Sequence, residues 1–418
     1  MNTKMIVYTL GKVLYAVGLL MLLPLILALC FREGCWTSLA GTAAGMIAAG
    51  ALMTLKKPEN HTIYAREGFV IVTLAWIGIS VGGALPFWIS GAIPAFADAL
   101  FEAVSGFTTT GSSILTDVER LPESLLFWRS FTHWIGGMGV LVFVMAIIPL
   151  GGSRSMHLLR AESPGPEVGK LVPRMGSSAK ILYGIYIVFT VAEAVLLMLG
   201  GVPVLDSFIL TFGTVGTGGF SPKNASVAAY NSAYVDAVVT VFMTLCGINF
   251  NLFYLVLVRQ FRQAVKSEEL RWYLILQAAA MLVVTLDILP VYHSFGTAFR
   301  YASFQVSTIN TTTGFATADY NLWPELSKCV LVLMMLCGGC AGSTAGGIKT
   351  VRLVLAAKGV AREIRRMLHS RTVSVLRMEG KPVREETISG VHLFLFLYIL
   401  NTVFRLSDIS FDYKPATD

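Results

Sequence analysis

Long apolar runs follow one another along the chain, separated by short polar connections. They occupy Ile6 to Phe31, Trp36 to Leu55, Phe69 to Ile89, Leu125 to Leu150, Ala179 to Leu199, Val235 to Val258, Trp272 to Val291, Leu326 to Ala356 and Ile388 to Phe404. Each is near or above the roughly 20 residues that a helix needs to cross a bilayer. The pattern predicts nine helices in lipid. Between several of these runs lie shorter amphipathic stretches, Ala95 to Phe107, Leu205 to Phe212 and Thr297 to Ile309, each too short to span.

After each short stretch comes one theme: Thr108-Thr109-Thr110-Gly111, then Thr217-Gly218-Gly219-Phe220, then Thr311-Thr312-Thr313-Gly314-Phe315. The order helix, half-helix, hairpin loop, helix therefore repeats, with the glycines about a hundred residues apart, a period too long for a solenoid. The chain divides accordingly: 1–66 holds two extra helices, 67–160 a first unit, 175–266 a second and 267–370 a third, with a Gly-rich segment at 337–349 and an incomplete fourth unit at 384–418. The expected fold class is an all-α polytopic membrane protein whose pore-loop repeats surround a central pathway.

Composition agrees: 55% of residues are hydrophobic, 14% are charged and mean hydropathy is +0.68, which excludes a soluble domain. The first run is too long for a signal-peptide core. The six cysteines, Cys30, Cys35, Cys246, Cys329, Cys337 and Cys340, lie mostly in or beside apolar runs and not at framework spacings, which argues against a disulfide scaffold or a zinc site. A net charge of +7 raises the question of nucleic acid, but its distribution argues for topology instead. Bases gather at Lys56, Lys57 and Arg66; at Arg154, Arg160, Lys170, Arg174 and Lys180; at Arg259, Arg262, Lys266 and Arg271; and from Lys358 to Arg384, with Arg362, Arg365, Arg366 and Arg371. The positive-inside rule puts these connections in the cytoplasm. The Thr/Gly loops then face outward, beside a mildly acidic set: Asp98, Glu102, Asp117, Glu119, Glu123, Asp206, Asp319 and Glu325. These acids read either as a cation-concentrating vestibule or as ordinary solvated loop residues.

A potassium ion leaves water only where oxygens replace its hydration shell, and glycine lets a chain turn its carbonyls toward an axis. Short helices ending at such a loop aim their partly negative C-termini at the ion. A second candidate device lies at Gly338 to Lys349, where five glycines with Ser343 and Thr344 interrupt an apolar run. Unwound backbone at that depth is tolerated where it lines a water-filled cavity; the alternative is close packing of small residues between helices. Lys349 and Arg352 place positive charge either near the inner pathway or at the membrane boundary. Glu193 and Asp287 lie inside spans near their outer ends, where capping or snorkelling accounts for them, although an intramembrane carboxylate is a functional candidate by default. His133 reads as a packed residue in preference to a ligand.

Taken together, these residues resemble the TrkH family of the Trk, Ktr and HKT superfamily of potassium-translocating proteins. Besides the loops, the resemblance rests on His133-Trp134-Ile135-Gly136-Gly137-Met138-Gly139, on Arg160-Ala161-Glu162-Ser163-Pro164-Gly165-Pro166 and on Gly338-Gly339-Cys340-Ala341-Gly342-Ser343-Thr344-Ala345-Gly346-Gly347-Ile348-Lys349. It implies a bacterial inner-membrane protein, a homodimer in membrane lipid, regulated by a cytosolic TrkA-type nucleotide-binding subunit, with potassium as the transported ion and no cofactor in the chain. By the same resemblance the filter is Thr109, Thr110, Gly111, Thr217, Gly218, Gly219, Thr312, Thr313 and Gly314. A gating loop is Gly338, Gly339, Ala341, Gly342, Ser343, Thr344, Gly346, Gly347 and Lys349.

A fourth filter glycine, expected beyond about residue 409 at this period, is not found, since none follows Gly390. The expectation is a chain truncated before its fourth pore loop, in which conduction by the three-loop polypeptide is in question. Coupled symport with sodium or protons on the same scaffold, and a non-conducting fragment, are the alternatives. No metal-ligand cluster, no nucleophile paired with a base and no phosphate loop on a strand argues for an enzyme.

Overall fold

A computed structural model describes residues 2–58, 64–137, 139, 175–369 and 375–412. Outside the described residues lie Met138, the Arg160 to Pro166 motif, the later part of the Leu125 to Leu150 run, Arg154, Lys170, Arg174, Arg371 and the end of the tail. Helices α1 (Thr3–Leu20) and α2 (Leu22–Cys30) make one apolar stretch, and α3 (Trp36–Thr54) returns alongside. Glycine makes that crossing close: a Cβ on Gly50 would stand 2.6 Å from the Gly11 carbonyl oxygen.

The first unit comprises α4 (Ala65–Ile89), the half-helix α5 (Phe96–Phe107) and the return helix α6 (Glu123–Gly137). Helix α6 is capped from outside its unit. Glu33, in the turn between α2 and α3, accepts from the amides of Glu123 at 2.6 Å and Ser124 at 3.2 Å and from the Ser124 hydroxyl. A carboxylate there satisfies orphan amides and meets the positive end of the helix dipole. The second unit comprises α7 (Met175–Leu199), α8 (Val204–Val215), α9 (Ala233–Cys246) and α10 (Phe250–Leu257). After the short α11 (Phe261–Lys266), the third follows as α12 (Glu268–Tyr292), α13 (Phe295–Asn310), α14 (Glu325–Cys337) and α15 (Thr350–Leu368). A hairpin of β1 (Arg377–Met378) and β2 (Lys381–Pro382) leads into α16 (Glu385–Asp412).

Two of the expected spans are not straight helices. The Val235 to Val258 run breaks at Gly247-Ile248-Asn249 and bends by 93° between α9 and α10. The Leu326 to Ala356 run breaks over residues 338–349, between α14 and α15. Among the described residues, six helices are individually long and apolar enough to cross a membrane, and the bent pair supplies a seventh span if counted as one.

Aromatic packing fixes the half-helices against their neighbours. Phe107 meets Trp128 edge-on at 6.1 Å, and Phe212 packs on Phe127 and Phe131 at 5.3 and 5.1 Å, joining α5, α6 and α8. The Trp128 ring nitrogen donates to the Gly83 carbonyl, so even this buried indole is satisfied. The outward faces carry exposed Leu23, Ile26, Phe69, Ile77, Val188, Ile275, Leu282 and Leu333. Such surfaces suit hydrocarbon, where helices satisfy every backbone group internally.

Candidate ion pathway

All three half-helices end in one backbone motif. The amides of Thr110, Gly218 and Thr313 turn back to the carbonyls of Ser105, Gly213 and Thr308 at 2.9, 2.8 and 2.8 Å. The residue before each is a threonine in the left-handed region: Thr109 at φ 53°, Thr217 at 54° and Thr312 at 56°. The residue after each is glycine, with φ 77° at Gly111, 79° at Gly219 and 90° at Gly314. A β-branched residue at positive φ is an outlier that persists only where its surroundings hold it. Three at equivalent places show one loop geometry imposed three times.

The loops touch in succession. A Cβ on Gly111 would lie 2.1 Å from the Gly218 carbonyl oxygen, and one on Gly219 would lie 2.0 Å from that of Thr313. Loop 1 thus abuts loop 2 and loop 2 abuts loop 3, while a Cβ on Gly314 would meet nothing within 4 Å. Thr110, Gly218 and Thr313 supply the middle position of each loop.

Helix α6 backs the first two loops at glycine distance. A Cβ on Gly136 would fall 1.9 Å from the Phe107 carbonyl oxygen, and one on Gly216 would fall 2.5 Å from that of His133. His133 is fully buried, stacks on Phe220 at 4.1 Å between ring centres and receives the Phe220 amide on Nδ1 at 3.5 Å. It is a packed residue, as its setting in the sequence suggests. Arg129 reaches across the same seam, with its guanidinium 3.5 Å over the Phe220 ring and 3.4 Å from the Ser221 carbonyl oxygen.

The acids expected in a vestibule are mostly engaged. Glu102 is buried, 2.5 Å from Arg129, and also accepts from the Ser113 hydroxyl and the Ile114 amide. Asp117 and Glu119 both bind Asn224 of the second loop, through its side chain at 2.8 Å and its amide at 3.0 Å. Hydrogen bonding to Asn224 is the largest influence holding the Asp117 carboxyl below its ordinary value. Asp206 accepts from Tyr230, and Glu325 pairs with Lys328. These residues shape the loops more than they present free charge. Asp287 caps α14 by accepting from the Ser327 amide and hydroxyl. Glu193 is wholly buried on α7.

The Gly-rich segment packs into the bend of α9 and α10. Cys340 donates its amide to Gly247 at 2.8 Å, Phe250 donates to Gly342 at 3.0 Å, and the Thr344 hydroxyl donates to Cys246 at 3.2 Å. Gly346 donates its amide to the Thr312 hydroxyl at 2.7 Å, which ties the segment to the third loop. Glycines make it compact, since a Cβ on Gly338 would stand 2.5 Å from the Gly346 carbonyl oxygen. Gly338, Gly342 and Gly347 take positive φ, and Gly339 lies where a Cβ would meet Ala345. Ser343 folds back on the Cys340 carbonyl. Lys349 does not project freely at a boundary: its ammonium donates to the Ala345 carbonyl within the segment. Arg352, one turn on, lies over Phe394 of α16 at 4.1 Å.

A family model described as TrkH, cation transport protein, matches residues 38–416. The chain belongs to the TrkH family. Its members are transporters, not enzymes. The Trk system potassium uptake protein TrkH of Vibrio parahaemolyticus is 34% identical over 409 residues, covering 96% of this chain and 84% of that protein. TrkG of Escherichia coli, named likewise as a Trk system potassium uptake protein, is 34% identical over 97% of this chain and 85% of its own. The crystal structure of the potassium transporter TrkH from Vibrio parahaemolyticus superposes with a TM-score of 0.88 at 31% identity, covering 99% of this chain and 87% of that one.

Several residues that build this TrkH-family site carry no sequence signal of their own. Asn249 lies beside the Gly342 backbone, so that a Cβ there would stand 3.0 Å from Asn249 Oδ1. Glu269 accepts the Ala341 amide at 2.6 Å and the Val351 amide at 3.2 Å on a single oxygen. Their partners lie 72 to 93 residues away, beyond any local pattern.

Proposed function

We propose that this chain takes up potassium across a bacterial inner membrane, with the Thr/Gly loops facing outward and the basic connections in the cytoplasm. Thr109 to Gly111, Thr217 to Gly219 and Thr312 to Gly314 act as filter segments whose backbone carbonyls and threonine oxygens replace ion hydration. The observation that carries this reading is the threefold recurrence of left-handed threonine followed two residues on by left-handed glycine, in loops that abut one another. The half-helices α5, α8 and α13 aim their negative ends at those loops. The potassium uptake in the relatives' names supports the choice of ion.

Residues 338–349 act in this proposal as a gate below the filter. What supports it is their docking on Thr312 from one side and on the α9–α10 bend from the other. A homodimer and a TrkA-type regulatory subunit belong to the same proposal, the second supported by the naming of the relatives as parts of a Trk system.

The test is rubidium flux into proteoliposomes carrying the chain, with Gly219→Val as the paired variant. Flux abolished in the variant at equal insertion supports the filter. Equal flux in both removes Gly219 from the pathway.

A further inference from the structure

The hairpin Arg377–Pro382 spends an unusual residue at its tip. Glu379 and Gly380 both have positive φ, 53° and 75°, the pattern of a two-residue type I′ turn. Asn, Asp or Gly favours the first of these places, because a side chain with a longer stem gains nothing locally from the left-handed conformation. Glu379 gains something remote. Its Oε1 accepts from the Ser267 hydroxyl at 2.9 Å, the Glu268 amide at 2.8 Å and the Glu269 amide at 3.4 Å. The hairpin tip therefore caps α12 from more than a hundred residues away.

The capped turn is also the one that holds the Gly-rich segment. Glu269 takes the amides of Ala341 and Val351 on one oxygen, and so pins both shoulders of the segment to α12. Two further ties join the same parts. Lys358 of α15 pairs with Glu268 and donates to the Arg377 carbonyl. Leu376, Met378 and Val383 of the hairpin pack in one apolar cluster with Ala341, Val351 and Leu355.

We propose that the hairpin is the handle of the intramembrane segment: Glu379 is a positioning residue that, through the first turn of α12 and Glu269, holds residues 338–349 in their closed packing. Displacing the tip takes the carboxylate away from the Glu268 and Glu269 amides, leaves Ser267 on the Leu270 amide as the remaining cap of α12, shifts Glu269 and frees both shoulders together. This inference rests on reading 338–349 as the gate only for its effect on flux. Its structural part stands separately.

Cys340 is a native reporter, buried within the segment, and Cys35 is a buried control on the N-terminal helices. Maleimide labelling of the full-length chain in detergent is quantified at each cysteine by peptide mass analysis. Glu379→Ala should raise labelling at Cys340 roughly fivefold or more, the scale of a lost helix cap, with Cys35 unchanged. Glu379→Asp separates the cap from the turn: aspartate suits the turn better, yet its carboxylate is one methylene short of Ser267 and Glu268. It should fold and still label faster, whereas Glu379→Gln, which keeps the acceptor oxygen, should label like the parent.

Parent-like labelling of Cys340 in both the Ala and Asp variants overturns the proposal. So does an equal rise at Cys35, which means general loosening. Rubidium flux on the same samples decides the other reading: faster labelling with unchanged flux leaves the handle in place and removes the gate.

Discussion

Arg129 of α6 and Glu102 of α5 form a buried ion pair, 2.5 Å apart, directly behind the seam between the first two loops. The pair does not stand alone. Glu102 also accepts from Ser113 and Ile114, which bring the chain back from the first loop, and Arg129 lies over Phe220 of the second. Removing one partner leaves an uncompensated charge in low dielectric, which costs about 3–5 kcal/mol. Arg129→Met should therefore lower the thermal unfolding midpoint in detergent far more than Arg120→Met, whose pair with Asp117 is exposed. Equal effects of the two changes would show that the buried pair contributes nothing special.

The glycines of the three loops are not equivalent. An alanine at Gly219 would drive its Cβ to 2.0 Å from the Thr313 carbonyl oxygen, a contact that cannot be relieved without moving the neighbouring loop. An alanine at Gly314 meets no atom within 4 Å and suffers only the left-handed backbone penalty, about 1–2 kcal/mol. Rubidium flux should be lost in Gly219→Ala and only partly reduced in Gly314→Ala. The reverse order would mean that the close approach of loops 2 and 3 is not maintained in the conducting state.

The repeating loops could be read from the chain because each is local: an amphipathic stretch, a threonine, a glycine and the start of a return run follow one another within about thirty residues. The 93° bend between α9 and α10 could not be read, since Gly247 is a single glycine in an otherwise apolar run. What holds the bend open arrives from residues 340–344, almost a hundred positions later. Glu102 shows the same limit from the other side. By sequence it reads as either a vestibule acid or a solvated loop residue, and only the fold reveals Arg129 one helix away. Lys349 likewise sits where a boundary charge would sit by sequence, yet its ammonium turns inward to Ala345.

Thr217 and Thr312 share a backbone conformation but not a set of partners. The Thr217 hydroxyl donates to the adjacent Gly216 carbonyl, whereas that of Thr312 also receives the Gly346 amide at 2.7 Å. Valine at 312 strands a half-buried amide, a loss of about 1–3 kcal/mol, and unties the Gly-rich segment from the third loop. Thr312→Val should accelerate thiol labelling at Cys340, while Thr217→Val should leave it unchanged. Identical labelling in the two variants would count against a tie between loop 3 and the segment.

Acid should loosen the exposed junction between the first two loops. The Asp117 carboxylate accepts from the Asn224 side chain and the Glu119 amide, and Arg120 lies beside it, so its proton affinity falls below the ordinary value of 3.8. A depressed carboxylate contributes stability that is complete above its unfolded value and is lost as pH falls through the folded one. The junction should therefore hold at neutral pH and weaken only below about pH 4. Asn224 also accepts the Val118 amide at 2.8 Å, which makes that amide the local reporter. Its hydrogen exchange, corrected for the intrinsic pH dependence of exchange, should show protection that is complete at neutral pH and falls as acid takes the pH below the ordinary aspartate value of 3.8. In Asn224→Ala the protection should already be low at neutral pH and insensitive to acid, and an unaltered profile in that variant would remove Asn224 as the tie between the loops.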